Sequence, residues 1–192
     1  MNCESIIYLD ADFLSKKYED LKKKPVMTSL VRDEGLKAGI KFLFASGGAH
    51  TKEVKTYKCS VYGMLNSILG KLNEYPILDS IDESVHNKTA WVEGRLFIGH
   101  LSVNRQTATA AGMKGEILEE GKAFEIEAKG KGLLTLVTKD QYFSSGYENL
   151  LNTISPIHLS FESQVRCLLK IVGWNKVINM AVGVPYVIID RS

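Results

Sequence analysis

Asp10 and Asp12 stand one residue apart, directly after the hydrophobic run Ile6-Ile7-Tyr8-Leu9. Two carboxylates at the end of a buried strand can coordinate Mg²⁺, which prefers oxygen ligands and couples well to phosphoryl transfer. Metal-assisted phosphoester hydrolysis is therefore the enzymatic reading of this chain. It requires a third carboxylate, for which Asp79, Asp82 and Glu83, close together in an expected loop, are the candidates, although they form no convincing acidic cluster. The competing role is structural, because an Asp at the end of a strand commonly caps the helix that follows.

No other catalytic pattern forms. His50, His86, His100 and His158 show no i, i+4 pairing, no H-E-x-x-H and no deaminase-type zinc signature. The chain has no G-x-S-x-G. Cys3, Cys59 and Cys167 are an odd, widely spaced set that gives neither a metal pair nor a disulfide framework. Cys59 lies near the start of a helical pattern, where the dipole lowers a thiol's pKa, but position alone does not make it a nucleophile. No residue reaches a catalytic, cofactor-binding or metal-ligating assignment, and no cofactor is implied.

Binding has more to draw on. Between Leu14 and Lys58 there are eleven Lys and Arg against five Asp and Glu, with Phe42, Phe44 and Tyr57 among them. Cations interleaved with aromatics are what single-stranded nucleic acid requires, and some small β-barrels bind it this way. On that reading affinity falls with salt and with loss of Lys52, Lys55 and Lys58. Lys114-Gly115 and Lys129-Gly130-Lys131-Gly132 add cations at turns, whereas the acidic stretch from Glu116 to Glu127 opposes the idea. Ala45-Ser46-Gly47-Gly48-Ala49 resembles an anion-binding nest but lacks the Walker lysine. The piece Gly35 to Phe44 mixes Lys with bulky apolar residues as membrane-surface peptides do, although it is short and broken by glycine.

The elements that must position these residues follow from periodicity. Ile6 to Asp10 reads as a buried strand, and Asp12 as the cap of a helix carrying Phe13, Leu14, Tyr18 and Leu21, which Pro25 stops at or before Lys24. Residues 25–56, rich in Gly and Lys, read as a mobile segment or a loosely held hairpin. Tyr57, Val61, Met64, Leu65, Ile68, Leu69 and Leu72 recur on one helical face, closed by Pro76, and that stripe is core or, less often, a dimer seam. Gly63 and Gly70 weaken this helix by about 1 kcal/mol each relative to Ala.

Beyond it the period shifts towards two. Trp91 to Val103, Lys114 to Ile117, Ala123 to Ala128, Leu133 to Lys139, Arg166 to Met180 and Tyr186 to Asp190 read as strands. Gly94, Gly99, Gly130, Gly132 and Gly173 mark turns or bulges, and a short helix covers Tyr147 to Ile154. The expected class is α+β, with an N-terminal strand and helices packed on a mainly antiparallel sheet or small β-barrel.

The bulk numbers agree with one such domain over residues 1–192. The chain is 45% hydrophobic and 24% charged with a formal charge of +2, which excludes a disordered chain or a polycation. No stretch approaches the roughly 20 apolar residues of a membrane span, no signal peptide is read at the N-terminus, and reduced thiols fit a cytoplasmic setting.

The initial I-Y-L-D-A-D, the Gly- and Lys-rich stretch ending F-A-S-G-G, the Y-K-C-S-V-Y-G-M-L-N-S-I-L helix and the late strand from Leu169 to Val177 together resemble a family of uncharacterised bacterial proteins carried as a domain of unknown function. The resemblance implies a bacterial origin and supplies no activity and no catalytic residues. The D-x-D opening by itself is similar to that of haloacid-dehalogenase-type phosphatases and, with one Asp, of PIN-type nucleases, but the rest of either pattern is missing. The sequence thus points to a non-catalytic binding or regulatory protein. A metal-dependent phosphoester hydrolase using Asp10 and Asp12, and a nucleic-acid-binding module, are the alternatives; a homodimer is the other partner to consider.

Overall fold

A computed structural model describes residues 6–23, 27–32, 42–44, 53–57, 60–78, 80–101, 121–128, 132–144, 146–152, 161–175 and 180–192. The first strand, β1 (Ile6–Leu9), is buried on both faces, as its unbroken apolar run requires. Helix α1 (Ala11–Lys22) follows at once. Its cap is Asp10, not Asp12: the residue after the strand is extended and its side chain accepts the Phe13 amide, which leaves Asp12 inside the first turn. Lys23 ends α1 in the left-handed conformation, two residues before Pro25.

Within residues 25–56, expected as a mobile segment or a loosely held hairpin, the described residues belong to three strands. These are β2 (Met27–Arg32), β3 (Phe42–Phe44) and β4 (Glu53–Tyr57), paired antiparallel in the order β2-β4-β3. The β-branched and aromatic residues of these runs outweigh the glycines between them; residues 33–41 and 45–52 lie outside the described set.

Helix α2 (Val61–Leu72) begins four residues later than the apolar period suggests, because Tyr57 closes β4 and Ser60 supplies the cap, accepting the Gly63 amide. It also stops before Pro76, at the Asn73 cap. Its stripe is core: Val61, Met64, Leu65, Ile68 and Leu72 are buried, and Leu69 packs half-buried against them. The indole N–H of Trp91 donates to the Leu72 carbonyl at 2.8 Å and ties the helix end to the sheet.

The remaining strands are β5 (Thr89–Leu101), β6 (Gly121–Ala128), β7 (Leu133–Leu136), β8 (Glu162–Asn175) and β9 (Met180–Asp190). The run expected as one strand from Arg166 to Met180 is two, since Met180 opens β9. The six-stranded sheet runs β1-β9-β7-β6-β5-β8, and β8 pairs again with β9. Strands β5, β6, β7, β9 and β8 therefore close into a five-stranded barrel, antiparallel except where β7 meets β9 in parallel. The sheet-or-barrel alternative resolves as a barrel.

Closure depends on β5, whose first half pairs with β8 and whose second half pairs with β6, overlapping from Gly94 to Phe97. Gly94 and Gly99 thus lie inside a strand and are not turns. Gly173 does sit at a register shift between β8 and β9. The interior is filled by Val92, Leu96, Phe124, Ile126, Leu134, Val165, Cys167 and Leu169, all at most 2% exposed. The segment joining β7 to β8 carries 3-10 turns at Asp140–Tyr142 and Tyr147–Asn152, the latter where a short helix to Ile154 is expected. Its rings pack into the core edge-on or tilted: the Phe143 ring centre lies 4.9 Å from those of both Tyr8 and Phe124, and that of Phe161 lies 6.1 Å from Phe124.

Candidate functional site

The Asp10–Asp12 pair sits where β1 passes into α1, against the segment that follows β7. The Asp10 amide donates to the Tyr186 carbonyl at 2.8 Å, extending the β1–β9 pairing by one residue. Its side chain is buried and accepts the Phe13 amide at 2.9 Å. Burial pushes the Asp10 carboxyl above its ordinary value; the Phe13 amide and the Lys139 charge pull it back, and Asp12 adds to the rise.

Asp12 accepts the Tyr142 hydroxyl at 2.6 Å. Around them, the Lys139 amide donates to the Tyr8 hydroxyl at 3.4 Å, and the Lys139 ammonium lies 5.4 Å above the Tyr142 ring. Burial raises the pKa of both phenols strongly, so neither is poised to lose a proton near neutral pH. On the other flank Phe13 stacks on Tyr186, with ring centres 3.8 Å apart and planes within 4°. The carboxylates are thus joined to a helix cap, a phenol and packed rings.

The third carboxylate that phosphoester hydrolysis requires is not among the described residues. No three His, Cys, Asp or Glu side chains gather there into a group able to hold a metal ion. Asp82 caps the 3-10 turn Glu83–Val85 by accepting the Ser84 amide at 2.8 Å, and Asp79 lies outside the described set.

The other expected residues divide in the same way. His86 contacts the Val172 carbonyl at 3.1 Å and Asn87 at 3.2 Å. Cys167 is fully buried in the barrel, and burial drives its thiol far above the ordinary value, so it is not a nucleophile. Cys3, His50, Cys59, His158, the Ala45–Ala49 nest, Lys52, Lys58, Lys114, Lys129 and Lys131 fall outside the described residues; Lys55 belongs to β4, opposite Phe42 of β3.

Sequence reasoning missed three features. Arg95 of β5 bridges Glu127 of β6 and Glu162 of β8, each at 2.7 Å, across the point where β5 changes partners. Arg166 lies 4.2 Å over the Trp91 ring and donates to Asn73 at the end of α2. The third is Glu125, a buried acid on β6. Its one sequence signal is the glycine spacing in β5, since a strand glycine often marks a close approach by another group.

Two hollows lie at opposite ends of the helix pair. One, of about 70 Å³, is lined by Ile6, Leu9, Ala11, Val61, Tyr142 and Phe143. The other is an open cleft of about 290 Å³ between the ends of α1 and α2, lined by Lys17, Leu21, Lys71, Tyr75 and Pro76. Lys71 is paired with Glu74 at 2.8 Å, and the Lys17 ammonium lies 5.8 Å from the Tyr75 ring centre. No helix among the described residues is long and apolar enough to cross a membrane. No family model matches the chain, no curated protein matches it, and no solved structure matches it.

Proposed function

We propose that this chain is a non-catalytic binding module for which the five-stranded barrel is the scaffold. The observation that carries the reading is the fate of its best catalytic candidates: Asp10 caps α1 and Asp12 accepts the Tyr142 hydroxyl. The deciding experiment is a thermal-shift titration with Mg²⁺ and with Mn²⁺, on the wild type and on Asp10→Asn. A metal that binds only the native state raises the melting temperature by mass action. The expected result is no saturable rise in either protein. A saturable rise lost in Asp10→Asn overturns the reading in favour of metal-assisted phosphoester hydrolysis.

Strand order favours one class of ligand within that reading. A barrel closed as β5-β6-β7-β9-β8 has the Greek-key arrangement of OB-type domains, which hold oligonucleotides or oligosaccharides over their second and third strands. That is an analogy of fold, and fold alone does not assign function. Here the corresponding strands are β6 and β7, and the outward residues of β6 include the buried Glu125 and the Arg95-paired Glu127, which offer a phosphate no positive charge. Single-stranded nucleic acid therefore needs the basic stretch from Leu14 to Lys58 for its phosphates. Fluorescence anisotropy with a labelled single-stranded oligonucleotide, at 50 and 200 mM salt, tests this. The expected pattern is affinity that falls steeply with salt and weakens in a Lys52, Lys55, Lys58 triple alanine variant. Absent or salt-insensitive binding removes nucleic acid from the reading.

A further inference from the structure

We propose that Glu125 is a proton-linked latch on the outer face of the barrel, holding β5, β6, β7 and the start of β9 together in its neutral form and loosening them when it ionises. The carboxyl is placed by the backbone. On β6, Phe124 and Ile126 point into the barrel and Glu125 points out, yet Glu125 is only 5% exposed. It stands opposite Phe97 of β5 and Thr135 of β7 in the strand registers. Its carboxyl rests on Gly99 of β5, where any Cβ would collide with it, so the glycine leaves the space that the acid fills.

Its polar surroundings are sparse. Among the described residues its one hydrogen bond is from the Thr135 hydroxyl, at a long 3.4 Å, and that hydroxyl also lies 2.9 Å from the Met180 sulfur of β9. Of the charged groups on the neighbouring elements, Arg95 of β5 is engaged by Glu127 and Glu162, and Glu127 of its own strand is the partner of Arg95. From β7 the facing group is Thr135, and from β9 it is Met180, neither of which carries charge. His100 and Lys122 pair with one another in the backbone register at the far end of β5 and β6.

An ionised carboxylate with one weak donor and no counter-charge among the described residues is poorly stabilised in such a place, whereas a protonated acid is an uncharged filler of the Gly99 hollow. Burial accordingly raises the Glu125 pKa, with the Thr135 hydroxyl opposing. For an acid whose folded pKa is raised, the associated stability is fully present below the unfolded value and is lost as pH rises through the folded value. The strands around Glu125 should thus tighten on acidification and loosen towards neutral pH.

The test is carried out on the full chain. The side-chain carboxyl of Glu125 is followed by carbon-detected NMR from pH 3 to 8. Amide hydrogen exchange of β6 and β7 is measured over the same range, corrected for the intrinsic rate, in wild type and Glu125→Gln. The expected result is a midpoint above that of an ordinary glutamate, with β6 and β7 protection in the wild type falling as that midpoint is passed. Glu125→Gln should keep its protection constant through the same pH window. An ordinary midpoint overturns the proposal even if the variant does not fold, and so does a raised midpoint without any pH-dependent loss of protection.

Discussion

At Gly94 the chain of β5 faces Val165 of β8 on one side and Ala128 of β6 on the other. A Cβ there would run into the backbone carbonyl of Glu127 and come within 2.9 Å of the Ile126 side chain. Backbone cannot move aside as a side-chain tip can, so the residue is constrained by close approach. Gly70 is the opposite case: it is exposed within α2, and a Cβ there would meet nothing within 4 Å. Gly94→Ala should destabilise the protein by about 1–3 kcal/mol through overpacking. Gly70→Ala should stabilise it by about 0.5–1 kcal/mol, through helix propensity and a less flexible unfolded chain. Chemical denaturation of the two variants checks both signs; a Gly94→Ala protein as stable as wild type would remove the close-approach account. Both glycines are plain in the sequence. What separates them is a neighbour 33 positions away, and nothing local encodes that. The cap of α1 was legible only to within two residues: its contact is local, Asp10 to the Phe13 amide three residues along the chain, but the spacing alone pointed to Asp12.

The elements were readable where their signal is local and periodic. Helix α2 carries six apolar positions at helical spacing; five are buried and the sixth, Leu69, is half-buried against the core. Strand β1 is a run of four apolar residues and is buried throughout. Boundaries suffered where one pattern runs into another. Tyr57 fits the helical period of α2, but the β-forming residues Val54 and Thr56 place it in β4, and the Ser60 cap then sets the true start. The late apolar run from Arg166 to Met180 conceals a reversal, because β8 and β9 are both apolar on the barrel side and neither Gly nor Pro punctuates the stretch between them. The candidate site suffered most. Tyr142 and Lys139 meet the Asp10–Asp12 corner from about 130 residues away, a contact that exists only once β1 has docked on β9 and β7 has joined the barrel.

Closure of the barrel is a property of the whole chain, and its last seam is the pairing of β8 with β9, which joins the two ends of the five-strand set. At one end of that seam the Ser163 hydroxyl of β8 donates to Asp190 of β9 at 2.9 Å, and the Ser192 amide donates to the same carboxyl at 2.9 Å. Burial alone would raise the Asp190 pKa, but donors from Ser192, Ser163 and the Arg191 backbone outweigh it, and the carboxyl is held below its ordinary value. The sign is opposite to that at Glu125. An acid with a depressed folded pKa contributes stability that is present above the unfolded value, near 3.8, and is lost as pH falls through the folded value. Acidification from neutral pH should therefore first remove the strain of an ionised Glu125 and then, below about pH 4, weaken the β8–β9 seam. Asp190→Asn separates the two effects. It should be less stable than wild type near pH 6, with the gap closing as pH drops below 3.8, while the Glu125-linked gain between neutral and mildly acid pH stays intact. Urea unfolding of the two proteins at pH 3, 4.5, 6 and 7.5 measures both slopes. A gap that does not change with pH would show that the Asp190 contacts stabilise the seam without any dependence on its charge.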